Sequence, residues 1–207
     1  MTRVLVLAPH PDDEAIGCGG TLRKHSAHGD EVRVVFLTSG EGGGHGRPPA
    51  ETASLREAEA AAAAEILGLG GIEFWRERDG AIRPTPELVC RLAATLDAFR
   101  PDILYLPHDR ESHADHRAST DLVRASLVGR ADRPDVLMFE VWTPLELFDH
   151  VEDITAEIAI KAAAIRAHAS QCAVMAFDDA AIGLSRYRGE MHSWPDGEYA
   201  EVFRRLR

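Results

Sequence analysis

Short apolar segments alternate with segments of helical length along most of this chain. They are rich in β-branched residues and nearly continuous in apolar character, as strands covered on both faces are. The strand candidates are residues 3–7, 31–37, 72–75, 102–106 and 135–141. This alternation predicts an α/β fold with a mainly parallel sheet and flanking helices. A length of 207 residues, 45% of them hydrophobic, suits one such domain over residues 1–207.

Three segments outside the strand candidates carry helix signals. They are residues 54–67, 86–100 and 156–167. In the first of them, Ser54 and Glu57 have the spacing of a capping box, and Gly68 follows as a stop signal. In the third, Ala, Ile and Lys recur at helical spacing, which predicts an amphipathic helix.

One segment, residues 40–50, does not fit either pattern. Its sequence GEGGGHGRPPA holds five glycines and two prolines directly after a strand candidate, which predicts a loop. Two interpretations stay open, a flexible connector and the rim or lid of an active site. The second has support because loops at the carboxyl ends of parallel strands usually build the ligand crevice.

Charge and hydropathy exclude several classes of function. With 23 Lys and Arg against 34 Asp and Glu, the formal net charge of −11 argues against a protein that neutralises nucleic-acid phosphates. No apolar run approaches the roughly 20 residues of a membrane span, and the amino-terminal stretch lacks a signal-peptide pattern. We therefore expect a cytoplasmic protein that acts on a small molecule. The sequence leaves a homo-oligomer open.

The first strand candidate runs into the sequence APHPDDE, which places His10, Asp12, Asp13 and Glu14 within five residues. Like charges packed together are costly unless a cation or a proton offsets them, so a metal is the economical explanation. The alternative, an aspartate that caps the following helix, explains one carboxylate but leaves the histidine without a role.

A second polar cluster, PHDRESHADH, follows the strand candidate 102–106. If a helix begins near Ser112, His113 and His116 lie three residues apart on the same face. Both clusters then emerge from the same end of a parallel sheet and can converge. Two histidines and one aspartate with open positions for water suit a catalytic zinc, although an iron(II) centre uses the same ligand set.

At this point the chain resembles the PIG-L/LmbE family of zinc-dependent sugar N-deacetylases. The resemblance rests on APHPDDEAIGCGG, LTSGE, REAEAAAAAEILG, HADH and KAAAIRAHASQ, which occur in the family's order over most of the chain. It implies a single-domain, Rossmann-like fold with helices on both faces of a mainly parallel sheet. It also implies removal of an N-acetyl or other N-acyl group from an N-acetylglucosamine-type amino sugar or its conjugate.

The resemblance also implies roles for individual residues. His10, Asp13 and His116 would bind Zn²⁺, with other divalent metals such as Fe²⁺ as alternatives, and Asp12 would be the general base on the metal-activated water. A cationic His113 would stabilise or protonate the tetrahedral intermediate, and Asp115 would hold its imidazole. Two further residues would contact the substrate, namely Arg56 and His168. The family's usual HPDH reads HADH here, because Ala114 replaces a proline, and every reactive group stays in place.

Several alternatives stay open at the level of sequence. A glycine-rich turn after a first strand begins dinucleotide-binding domains, but Gly17, Gly19 and Gly20 come well after the strand and Leu22 stands where the last glycine would fall. An iron-dependent oxygenase would have no need of the extra base Asp12. A non-catalytic sugar-binding protein with this fold is the remaining alternative.

Four further side chains are candidates for the substrate pocket. His45 lies in the glycine-rich loop, although an exposed loop histidine is commonplace. The aromatic residues Trp142, Tyr187 and Trp194 are candidates to stack on a sugar ring, and simple packing explains each of them equally well.

Overall fold

The computed structural model describes residues 1–193 and 197–207, so Trp194 lies outside the described residues. The strands are β1 (Arg3–Ala8), β2 (Glu31–Thr38), β3 (Gly71–Glu77), β4 (Ile103–Pro107), β5 (Asp135–Phe139), β6 (His150–Asp153) and β7 (Ala200–Arg205). The helices are α1 (Asp13–Ala27), α2 (Pro49–Leu67), α3 (Pro86–Phe99), α4 (Ala114–Ser126), α5 (Ile158–Ala167), α6 (Ala169–Cys172) and α7 (Phe177–His192).

The strands form one sheet in the order β3-β2-β1-β4-β5-β7-β6. Strands β1 to β5 pair in parallel, whereas β7 runs antiparallel to both β5 and β6. The expected mainly parallel α/β sheet is therefore confirmed. From β1 the chain first adds strands on one side, β2 and β3, and then returns to add β4 on the other side. The strand order thus reverses between β1 and β4, and at such a point the carboxyl ends of the strands leave a crevice.

Helices cover both faces of the sheet, as the strand pattern predicted. On one face α3 and α4 pack over alternate strand residues such as Leu5, Leu7 and Leu104. On the other face α1, α2, α5 and α7 pack together, and α1 lies over strand residues that include Val4 and Val6. Strands buried on both sides explain why their sequences are continuously apolar.

The capping box expected at Ser54 and Glu57 is wrong. Helix α2 begins five residues earlier, at Pro49, where the fixed φ of proline suits the first turn. The Ser54 hydroxyl donates to the carbonyl of Ala50 in the helix interior, and Glu57 instead accepts a hydrogen bond from Ser39. The glycine-rich loop is therefore shorter than expected, because Pro49 and Ala50 already belong to the helix.

The carboxyl-terminal third contains elements that the sequence pattern did not predict, namely β6, α6, α7 and β7. Strand β7 inserts between β5 and β6, so the end of the chain closes this side of the sheet. The helix expected over residues 156–167 is present as α5, two residues shorter at its start. No helix among the described residues is long and apolar enough to cross a bilayer.

Candidate active site

The two polar clusters meet at the crevice between β1 and β4. Asp12 precedes the first residue of α1, and His113 precedes the first residue of α4. A cavity of about 400 Å³ opens between them. Of the eight expected site residues, five line it, namely His10, Asp12, Asp13, Arg56 and His113. The fully buried side chains of Asp115, His116 and His168 lie behind this wall.

Asp12 has an unusual backbone conformation, with a φ of 123° that side-chain-bearing residues rarely adopt. Its N–H donates to Glu14 Oε2 at 3.2 Å, and its carbonyl accepts from the N–H of Ile16 at 2.9 Å. Arg56 donates to the carbonyl of Pro11 at 2.6 Å. These hydrogen bonds therefore hold the backbone turn that directs the Asp12 side chain toward the cavity.

The Asp12 carboxylate also pairs directly with Arg56, whose Nη2 lies 3.0 Å from Oδ2. Burial raises the pKa of Asp12 to about 6, the Arg56 charge opposes that rise, and the neighbouring Asp13 adds to it. A carboxylate with such a pKa accepts a proton near neutral pH, as a general base must.

Asp13 links two histidines. Its Oδ2 lies 3.3 Å from His10 Nδ1, and its Oδ1 lies 3.2 Å from His116 Nε2. Burial opposes the charge of Asp13, yet His116 and His10 hold the pKa of this carboxyl well below its usual range. One ligand atom each of His10, His113 and His116 also lies within 4.8 Å of the others.

These residues fit a divalent metal. His116 is fully buried, and within the described part of the chain neither of its ring nitrogens has a hydrogen-bond partner. Leaving buried polar groups without partners is costly, so a metal ion bound by Nε2 next to Asp13 would satisfy this ring. Two imidazoles and a carboxylate are ligands that zinc and iron(II) both accept.

The carboxylate of Asp115 does not hold the His113 ring, contrary to the expectation from the family resemblance. Its Oδ2 lies 3.3 Å from His10 Nε2 and accepts the N–H of Gly80, and its Oδ1 accepts the N–H of Ile82. His10 thus presents Nδ1 to Asp13 and Nε2 to Asp115. A metal-binding histidine usually donates its second N–H to a carboxylate, which fixes the tautomer and the orientation of the ring.

A cationic His113 is also not supported. Its Nδ1 accepts a hydrogen bond from the backbone N–H of Asp115 at 3.3 Å, so the proton of the neutral ring lies on Nε2. Burial lowers the pKa of His113, and the nearby His10 and His116 lower it further. A neutral ring of this kind serves as a hydrogen-bond donor on the cavity wall.

The two residues expected to contact substrate differ. Arg56 lines the cavity, but its guanidinium is committed to Asp12, Pro11 and Gly40, so it serves first to hold the base. His168 is 1% exposed and does not line the cavity, and its Nε2 lies 3.6 Å from Glu14 Oε1. Direct contact between His168 and a substrate would need this wall to open.

Sequence reasoning missed several residues of the cavity. Asp79 lies in the loop after β3, with Oδ1 at 3.1 Å from His10 Nε2, and Gln171 donates to the carbonyl of Gly43. Asp79 followed a strand candidate at the active edge of the sheet, a signal that could have found it. Gln171 follows no strand candidate, but it is the last residue of KAAAIRAHASQ, one of the segments that carry the family resemblance. His45 and Trp142 line the cavity, so the glycine-rich loop forms part of its rim, whereas Tyr187 is 54% exposed and does not line it.

Comparisons with known proteins agree with this arrangement. Residues 5–127 match the family described as PIG-L, GlcNAc-PI de-N-acetylase. The chain is 31% identical to a relative from Mycobacterium sp. (strain KMS), over 84% of this chain and 75% of the relative's length. That relative is named 1D-myo-inositol 2-acetamido-2-deoxy-alpha-D-glucopyranoside deacetylase.

Two solved structures are also similar. N,N'-diacetylchitobiose deacetylase from Pyrococcus horikoshii has a TM-score of 0.87 at 26% identity, over 99% of this chain and 84% of its own. GalB, the 4-carboxy-2-hydroxymuconate hydratase from Pseudomonas putida, has a TM-score of 0.88 at 25% identity, over 100% of this chain and 97% of its own. The fold thus also carries an activity other than deacetylation.

Proposed function

The chain belongs to the GlcNAc-PI de-N-acetylase family, and from that premise we propose that it is a metal-dependent hydrolase of N-acetylated amino sugars or their conjugates. The observation that carries the proposal is the position of Asp12 on the wall of the cavity, directly beside the His10, Asp13 and His116 group. A base beside a metal-compatible set of ligands suits hydrolysis better than binding alone.

Two relatives support the substrate class. The mycobacterial relative is named for a GlcNAc-inositol and the Pyrococcus protein for diacetylchitobiose, so both names contain an N-acetylated amino sugar. The cavity also offers polar groups suited to sugar hydroxyls, because Asp79 and Gln171 are among the residues that line it. We extend the substrate class, and not either named compound, to this protein.

The metal would be held by His10, Asp13 and His116, with Asp115 behind His10. When bound, such an ion polarises the amide carbonyl and makes water a stronger nucleophile at neutral pH. Zn²⁺ is the ion we propose first, and Fe²⁺ suits the same donors.

The residues of this chain then divide the work of amide hydrolysis. Asp12 accepts a proton from the attacking water, whose oxygen bonds to the acyl carbon. The Nε2–H of His113 donates a hydrogen bond to the carbonyl oxygen as negative charge develops there. The C–N bond breaks, and the proton held by Asp12 passes to the leaving nitrogen. The products are a free amine and a carboxylic acid, acetate where the acyl group is acetyl.

A panel of N-acetylglucosamine conjugates, incubated with the zinc-loaded protein, tests this proposal. We expect equal amounts of free amine and acetate from at least one conjugate, loss of turnover after chelation, and recovery on addition of Zn²⁺. A metal-free protein that keeps full activity would contradict the proposed metal. If no conjugate yields amine while the metal is bound, the hydrolase assignment fails. A hydratase activity, as in the name of the similar GalB structure, would then be the next one to test.

A further inference from the structure

A second cavity, of about 300 Å³, lies next to the catalytic one. The two cavities share three wall residues, Trp142, Met175 and Phe177. The rings of Trp142 and Phe177 meet edge to face, with their centroids 5.5 Å apart. His10, Asp12, Asp13, Arg56 and His113 line only the first cavity, so the second forms a separate chamber beyond the three side chains that the two cavities share.

The charged groups of this second cavity already have partners. Lys161 Nζ lies 2.6 Å from Glu201 Oε1, and Glu140 pairs with Arg188. Glu201 accepts further hydrogen bonds from the backbone of Gly20 and Thr21. Because these charges are matched within the protein, the chamber offers a ligand chiefly apolar contacts, for example Ile16, Val141 and Leu184.

We propose that this second cavity binds an apolar alkyl or aryl group of the substrate while the sugar occupies the catalytic cavity. The inference rests on the proposed function and narrows its substrate class. Such a group gains favourable transfer free energy in a chamber of this kind, whereas a second sugar would lose its hydrogen bonds to water.

The position of the chamber limits where the substrate carries this group. Ile16 and Gly17, which line it, follow Asp13 by three and four residues along α1. The chamber therefore begins about one helical turn from Asp13, and the apolar group must be attached close to the amide. Two attachments satisfy that condition, an N-acyl chain longer than acetyl and an aglycone on the neighbouring anomeric carbon.

Two series of compounds distinguish these attachments. One extends the N-acyl chain of glucosamine from acetyl to octanoyl, and the other extends the alkyl group of an N-acetylglucosaminide from methyl to octyl. Dissociation constants are measured calorimetrically on the zinc-loaded Asp12→Asn variant, which needs no turnover, and kcat/KM is measured on the natural sequence. In the series that uses the chamber we expect affinity to rise about threefold to fourfold for each methylene that enters it.

A matched pair of variants locates the effect on α7. Ala180 lines the second cavity, whereas Gly183 lines neither cavity and has open space where a Cβ would stand. Ala180→Trp should remove the dependence on chain length, and Gly183→Trp should keep it. Equal affinity along both series, or a dependence on chain length that survives in Ala180→Trp, overturns the inference. Because binding is measured separately from turnover, failed hydrolysis of every compound counts against the proposed function alone.

Discussion

At the scale of single residues, Asp12 combines backbone strain with a buried charge. Its φ of 123° costs about 1–3 kcal/mol for a residue with a side chain. Such strain persists only where neighbours enforce it, and here Glu14 accepts the Asp12 N–H while Arg56 binds both its carboxylate and the preceding carbonyl. The proposed base is therefore held in position before any substrate arrives.

The pairing with Arg56 leads to a prediction about pH. The guanidinium lowers the pKa of Asp12, so Arg56→Met should raise that pKa and move the acid limb of kcat/KM to higher pH, by about one to three pH units. Arg56→Lys keeps a positive charge and should move the limb less. The measurement is the pH profile of both variants, each checked for folding by circular dichroism. An acid limb that stays in place in Arg56→Met would show that Arg56 does not tune the base.

The residue types of the site could be predicted from sequence, but several of their contacts could not. His10, Asp12, Asp13 and His113 line the cavity, because local motifs at strand ends place them at one edge of the sheet. The partner of Asp115 depends on the distance between β1 and α4, which no local pattern encodes. The fully buried position of His168 likewise depends on how α5 and α6 pack.

At the scale of elements, helix α1 carries the catalytic turn into the core. Its second turn contains Gly17, where an added Cβ would overlap the ring of the fully buried Phe139 on β5. The helix departs from helical geometry at the next residue, Cys18. The close approach of α1 to β5 therefore depends on the absence of a side chain at Gly17.

Alanine substitutions at two glycines test this close packing. Alanine is the better helix former by about 1 kcal/mol, so propensity alone favours both Gly17→Ala and Gly183→Ala. At Gly17 the overlap with Phe139 should outweigh propensity and lower the free energy of unfolding by about 1–3 kcal/mol. At Gly183 the space is open, and stability should rise or stay unchanged. Urea denaturation measures both values, and a stabilised Gly17→Ala would show that α1 does not need this contact.

Elements differed in how well sequence predicted them. Strands β1, β2, β4 and β5 were predictable because burial on both faces makes them almost continuously apolar, whereas the half-exposed edge strand β3 was marked only by its short apolar run. Strand β7 has the sequence AEVFRR and buries Glu201 against Lys161. It therefore lacks the continuous apolar pattern by which a buried strand is predicted. The start of α2 was misplaced because Ser54 and Glu57 imitate a capping box inside the helix.

At the scale of the whole molecule, the reversal of strand order between β1 and β4 determines where the chemistry lies. Motifs about a hundred residues apart reach one crevice because adjacent parallel strands end at the same edge. The sequence predicted this convergence, since it follows from topology alone. The second cavity could not be predicted, because its wall joins the loop after β5, the segment before α7 and helix α1.

The central claim is that neighbouring aspartates have different tasks, Asp13 as a metal ligand and Asp12 as the base. Metal content by elemental analysis, measured beside steady-state kinetics for Asp12→Asn and Asp13→Ala, tests it most directly. Asparagine has nearly the size and shape of aspartate, and both are among the side-chain-bearing residues found most often at positive φ, so the turn should persist.

We expect Asp12→Asn to keep its zinc while kcat falls by roughly 10²- to 10⁴-fold, the usual cost of losing a general base. Asp13→Ala should lose metal and activity together, because it removes the carboxylate that joins His10 to His116. A zinc-free Asp12→Asn beside a zinc-loaded Asp13→Ala would contradict the account, because it would exchange the ligand and the base.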